Sequence, residues 1–226
     1  MVLELILDRT GGLPKKTETF YFFQIDPAYV RDFRTQLTQL VPLITTTAEV
    51  LNEQRPKIAQ SKKDAAEKGT DPPILEMSGV NIAFTHKGLI LVSHLLRFRW
   101  LGLETQHITD SDFASLQLGI KDEIGDSAFD AGMLAGAEAL GDKGTKSPSG
   151  EFSPDWIPAF KHDIHGVILI TGDSHKTVGE KLAQIENIFH VGAHNALIHE
   201  VHRTVGDVRP GKEKGHEQFV PTLPVS

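Results

Sequence analysis

The alternation of apolar and polar residues is easiest to read at Thr17–Ile25 (TETFYFFQI). Phe20 and Phe22 point one way and Tyr21, Phe23 and Ile25 the other, which predicts a strand covered on both sides. Pro27 suits the first turn of a helix capped by Asp26. Val30, Phe33, Leu37, Leu40 and Val41 then fall at helical spacing as one apolar stripe, and Pro42 kinks or ends it. A second helical piece is predicted over Thr45 to Leu51. From Asn52 to Pro73 the polar composition predicts a solvated helix end followed by a loop, with a Lys-rich solvated face around Ser61 to Lys68. Val80 to His86 (VNIAFTH) alternates cleanly, with Val80, Ile82 and Phe84 on one face of a half-buried strand. Ile90 to Leu116 starts as a Leu-rich run carrying Arg97 and Arg99 and has no clean period.

Beyond Leu118 the pattern predicts a short helix around Met133 to Leu140, a loop from Lys143 to Gly150, and an amphipathic patch, Pro154 to Phe160, packed by Trp156 and Phe160. His165 to Thr171 (HGVILIT) is the strongest strand signal, because Val167 to Ile170 are consecutively apolar. Asp173 or Ser174 caps a following helix. Val178, Leu182, Ile185 and Phe189 share one face of it, and Gly192 ends it. Leu197 to Val205 is the next strand. The order β-α-β-β-α-β predicts an α+β, ferredoxin-like fold: an antiparallel four-stranded sheet with two helices on one face. Strands that are apolar on both faces require a second layer over the other face.

Composition narrows the function. The chain has 226 residues and a net charge of −7, an acidic balance that argues against a nucleic-acid partner. It has no cysteine, which excludes disulfides, thiolate metal sites and thiol catalysis. No apolar run approaches the roughly 18 residues of a membrane span. The N-terminal MVLELILDRTGG lacks a basic region and a cleavage site, so no signal peptide is visible.

Several segments carry a family signature. GGLPKKTETFYFF (11–23), VNIAFTHKGL (80–89), GDSAFDAGM (125–133), EALGD (138–142), DIHGVILITGD (163–173) and GDVRPGKEKGHEQF (206–219) resemble fungal dye-decolorizing (DyP-type) haem peroxidases, in matching order and spacing. The resemblance implies an extracellular enzyme of two ferredoxin-like halves around haem b, oxidising dyes and phenolic compounds with hydrogen peroxide. In that family the segment resembling Gly215-His216-Glu217-Gln218-Phe219 runs into a Gly-x-x-Asp-Gly loop with the distal acid–base Asp; the distal Arg and the proximal His ligand follow. The chain stops at Ser226, before all of these. No catalytic, cofactor-binding or metal residue is therefore assigned, the proximal ligand is expected to be absent, and the chain alone is expected to be inactive. Gly119 to Glu123 resembles half the loop but lacks its second Gly and lies in the wrong place.

The resemblance implies one ferredoxin-like domain over residues 1–219, with an atypical insertion at 90–117 and a non-family tail at 220–226. Because the insertion is unpatterned and the tail opens on a Val codon, which begins with the GT of a splice donor, both are expected to be translated intron. The implied partners are hydrogen peroxide, an aromatic reductant, and either the missing C-terminal half or a second copy docked on the uncovered sheet face. The alternative is a non-catalytic ferredoxin-like binding or self-association module; a further reading is a small haem-handling domain using one of the histidines present.

The eleven histidines invite a metal reading, but their spacing does not support one. His199 and His202, three apart on a strand, are expected on opposite faces. Gly192 separates His190 from His194, and His162 and His165 straddle a strand start, with Asp163 and Asp173 read as turn residues. Asp207 and Arg209 read as an ion pair or turn residues. His216 and Glu217 read as positioning the missing loop or bordering its cavity. Tyr21, Tyr29, Trp100 and Trp156 are candidate surface electron-transfer sites, with packing the better reading for Tyr21 and Trp156 and no weight on Trp100.

Overall fold

The central element is the aromatic strand β1, Thr17–Ile25, which pairs on both edges. The computed structural model describes residues 16–73, 75–92, 126–208 and, as backbone only, 218–219. Strand β1 runs antiparallel to β5 (Gly166–Gly172) on one side and β6 (Ile198–Val208) on the other. Strand β2 (Ser78–Phe84) closes the far edge against β5, and the two-residue β7 (Gln218–Phe219) extends the other edge. The order β2-β5-β1-β6-β7 contains the ferredoxin-like arrangement in its first four strands. A separate hairpin pairs β3 (Gly144–Lys146), inside the stretch predicted to be loop, with β4 (Phe152–Pro154) just after it. Its turn has Gly150 at a φ of +88°, and Glu151 bonds back to Ser147, so turn chemistry alone closes this short ladder.

Helix α1 (Val30–Leu40) starts as predicted: Asp26 Oδ1 accepts the Ala28 N–H at 2.9 Å, Pro27 opens a single 3-10 turn, and a second such turn through Pro42 ends the helix. Phe33 and Leu40 are buried, but Val41 is 64% exposed rather than part of the stripe, because the chain tightens into that 3-10 turn and rotates it outward.

The largest departure is at 52–73. Instead of a loop, helix continues through Thr47–Glu49 and one π turn, Val50–Gln54, into α2 (Arg55–Lys68). Pro56 directly follows the π turn, Thr46 caps the first turn, and Gly69 in the left-handed conformation ends the last. Polar composition hid a helix whose exposed face is laced by the Glu53–Lys57 and Lys63–Glu67 pairs.

Strand β2 ends at Phe84 rather than His86, and residues 86–92 form helix α3. Its C-terminal Val92 carbonyl accepts from Nε of the half-buried Arg34 at 2.7 Å, and from its Nη2. The short helix predicted at 133–140 is only α5 (Met133–Gly136), and a separate short helix, α4 (Ser127–Ala131), capped by Asp126, precedes it across Gly132 at a φ of +77°. Most of 90–117, with Trp100, Gly119 to Glu123, Arg209, His216, Glu217 and the 220–226 tail, lies outside the described residues.

Helix α6 (His175–Ile188) is capped by Ser174, whose Oγ accepts the Thr177 N–H. Asp173, the other candidate cap, instead accepts the Met77 N–H at 2.9 Å. Val178, Leu182 and Ile185 of α6, with Phe189 just beyond, join Phe33 and Leu40 of α1 over one sheet face carrying Tyr21, Phe23, Ile168, Ile170 and Val80. Phe33 stacks on Phe189 at 5.1 Å and meets Phe84 edge-on. This aromatic layer is the core, with both helices on one face as the pattern required.

Candidate functional site

The face of the sheet away from α1 and α6 is where a function has to be sought. It carries Glu18, Phe20, Phe22 and Gln24 of β1, and the register sets Leu169 beside Phe20 and Val167 beside Phe22. Phe20 and Phe22 are half-buried, whereas their helix-side neighbours Tyr21 and Phe23 are fully buried. Phe160, from a 3-10 turn at Pro158–Lys161, stands edge-on to Phe22 at 5.1 Å and faces the His202 ring at 5.3 Å. Phe160 thus packs as expected, and Trp156 is half-buried.

His199 and His202 lie on the same face, not on opposite ones. Strand β6 carries a bulge: Phe22 registers with His202 but Phe23 with Glu200, leaving Val201 opposite neither. The extra residue cancels one alternation, so His199 stands beside Gln24 and His202 beside Phe22. Their partners differ all the same. His199 Nε2 lies 2.9 Å from Asp26 Oδ2, while His202 packs against the Phe22 and Phe160 rings.

The other described histidines are spread out. His165 Nδ1 accepts the Ile25 N–H at 2.8 Å, and burial holds its pKa below the ordinary value. His175 Nε2 lies 3.1 Å from Asp207 Oδ1, and its Nδ1 lies 3.4 Å from the buried Thr17 hydroxyl. Asp207 is therefore a strand residue facing a helix N-terminus rather than part of a turn. His86 lies 3.5 Å from Asp130, and His190, at a φ of +55°, lies 3.5 Å from the Asn195 amide. Asp163 receives Lys87 at 2.5 Å. Among the described residues no three His, Asp or Glu side chains are grouped to hold a metal ion.

Tyr21 is 1% exposed beneath the Arg203 guanidinium, whose carbon lies 5.2 Å from the ring centroid. Burial, with Glu200 and Glu186 nearby, pushes its phenol up to about 12. Arg203 is held by Glu186 at 2.8 Å and Glu200 at 2.6 Å. Tyr21 is thus a core residue of the helix-side layer. Tyr29 also packs against the core.

A haem needs an apolar cleft, an axial ligand and positive charge for its propionates. A cavity of about 940 Å³ lies between α2 and residues 70–78, lined by five carboxylates and two lysines and by no histidine. The described residues of this cavity do not fit haem.

A four-stranded antiparallel sheet with both helices on one side and a half-covered aromatic face on the other defines a half-barrel layer. The chain belongs to the DyP dimeric alpha+beta barrel domain family, whose model matches residues 8–95 and 101–210. It is 31% identical over 210 residues to a dye-decolorizing peroxidase of Mycena epipterygia, covering 92% of this chain and 28% of that protein. A variant of the dye-decolorizing peroxidase from Pleurotus ostreatus superposes with a TM-score of 0.68 at 36% identity, over 90% of this chain and 35% of that one. A dye-decolorizing peroxidase in complex with 2,6-dimethoxyphenol superposes with a TM-score of 0.54 at 27% identity, over 91% of this chain and 34% of that one. The chain thus spans about a third of the length of the relatives it matches.

Proposed function

We propose that this chain supplies the first ferredoxin-like layer of a haem-dependent peroxidase that oxidises phenolic compounds and dyes with hydrogen peroxide. The observation that carries the reading is the family match across both β-α-β halves of the sheet. The complexed relative, by its 2,6-dimethoxyphenol, supports a phenolic reductant. The layer's contribution is structural. Its helix-side core fixes the sheet, and its other face, through Phe20, Phe22 and Leu169, packs against the rest of the enzyme. Acid–base work, charge stabilisation and iron ligation come from outside the chain's assigned residues, so the chain alone does not turn over.

A chimera tests this. Residues 16–208 replace the equivalent segment of an active relative, and 2,6-dimethoxyphenol oxidation and haem absorbance are followed beside the chain on its own. The expected result is a haem-loaded, active chimera and a haem-free, inactive chain. A folded chimera that takes up haem without oxidising the phenol removes the peroxidase reading. An isolated chain forming a stable dimer through the aromatic face, with an inactive chimera, replaces it with self-association.

A further inference from the structure

The cavity between α2 and the 70–78 segment has features that packing alone does not explain. The helical run from Thr47 to Lys68 is interrupted by the single π turn Val50–Gln54. Such turns reorient one side chain relative to its neighbours and recur at binding sites. The buried residue of this turn is Gln54, a polar side chain only 6% exposed that lines the cavity. Its Nε2 donates to Glu49 Oε1 at 3.0 Å. Its Oε1 is buried with no hydrogen-bond partner among the described residues, and so is the Ser61 hydroxyl, two turns further along the same cavity. Reversing the amide does not relieve Gln54, because its oxygen would then meet the Glu49 carboxylate. The amide oxygen is a fixed acceptor that requires a donor.

The surroundings select which donor. Glu53, Asp64, Asp71 and Glu76 join Glu49 in the lining, against Lys57 and Lys68 alone. The apolar stretch between them comes from Ala65, Pro73, Leu75 and Met77. Carboxylates around an apolar floor complement a chain of methylenes carrying N–H⁺ groups. These carboxylates are not grouped to hold a bare metal ion. We propose that this cavity binds a linear alkylammonium, a diamine or polyamine, with one ammonium donating to Gln54 Oε1 and a second among the outer carboxylates. The site is separate from the aromatic sheet face and independent of the peroxidase reading.

Isothermal titration of the full chain with spermidine, at low and at physiological salt, tests this. One saturable site is expected at both salts, weakened about tenfold by Gln54→Met, a change of similar volume that removes the acceptor at a cost of about 1.4 kcal/mol in binding. The far-UV circular dichroism of that variant should be unchanged. If Gln54→Met does not fold, the pair Glu53→Gln and Glu76→Gln, at exposed side chains, is expected to weaken binding to a similar degree. Absence of saturable binding overturns the proposal, since water then satisfies Gln54. So does binding that survives both sets of substitutions or vanishes at physiological salt, which is only counter-ion attraction to an acidic surface.

Discussion

His165 shows how much one residue can be asked to do. It ends the approach to β5, its backbone N–H donates to the Phe23 carbonyl at 2.9 Å, and its ring accepts the Ile25 N–H. That hydrogen bond needs an unprotonated Nδ1. Burial lowers the ring's pKa below its usual 6.5, opposed by Asp163 and reinforced by Lys87. The unfolded chain therefore takes up a proton before the folded one does. Stability from this residue is full above about pH 6.5 and falls as pH drops through that value, levelling off below the folded pKa. His165→Asn, whose Oδ1 can replace Nδ1 as acceptor without titrating, should flatten this component. Urea unfolding of both proteins from about pH 8 to about pH 5 measures the difference. Equal pH dependence in the two would show that His165 is not the group responsible.

At the scale of elements, the aromatic layer between α1, α6 and the sheet decides stability. Phe33 is fully buried and touches Phe23, Phe84 and Phe189, so it links α1 to β1, β2 and the end of α6. Phe33→Ala should cost about 3–5 kcal/mol, because three rings cannot all close into the space. Denaturant unfolding should show the midpoint falling with the slope unchanged. Elements of this kind were legible from the sequence. The stripe of α6, the placing of its cap at Asp173 or Ser174 and the bounds of β1 follow from spacing and side-chain chemistry within one segment. Helix α2 was not legible, because its lysines and glutamates read as solvated loop when they are in fact the outer face of a helix. The β6 bulge was not legible either, since nothing in IHEVHRTV marks Val201 as the residue left unpaired.

For the molecule as a whole, topology sets where the structure is hardest to open. Strand β1 is the first of the described strands yet sits at the centre of the sheet, and it pairs with residues 143 (Phe23 with Gly166) to 190 (Thr17 with Asp207) positions later. Strand β1 is not paired on both edges until the last long strand, β6, is in place. Amides of Tyr21 to Phe23 and Ile168 to Ile170 should be the slowest to exchange, opening only on global unfolding, while those of α2 exchange sooner through local opening. Hydrogen–deuterium exchange with mass spectrometry resolves the two classes. Equally slow exchange in α2 would mean that helix is part of the same cooperative unit. The edges are protected in different ways. Thr45 donates its N–H to the Val80 carbonyl and accepts the Val80 N–H on its hydroxyl, covering the outer rim of β2, and the two residues of β7 pair with the end of β6.

The sequence by itself determined the strands and helices that build the ferredoxin-like sheet, which faces of them are apolar, and the family they belong to. These properties are local, set by periodicity, caps and motif order. Only the tertiary structure decided that His199 and His202 share a face, that Asp207 meets His175 rather than a turn, and that Gln54 is buried beside a carboxylate-lined cavity. Each of these depends on register or on packing between segments far apart in the chain, and a linear pattern carries no information on which residue of a distant strand will stand opposite.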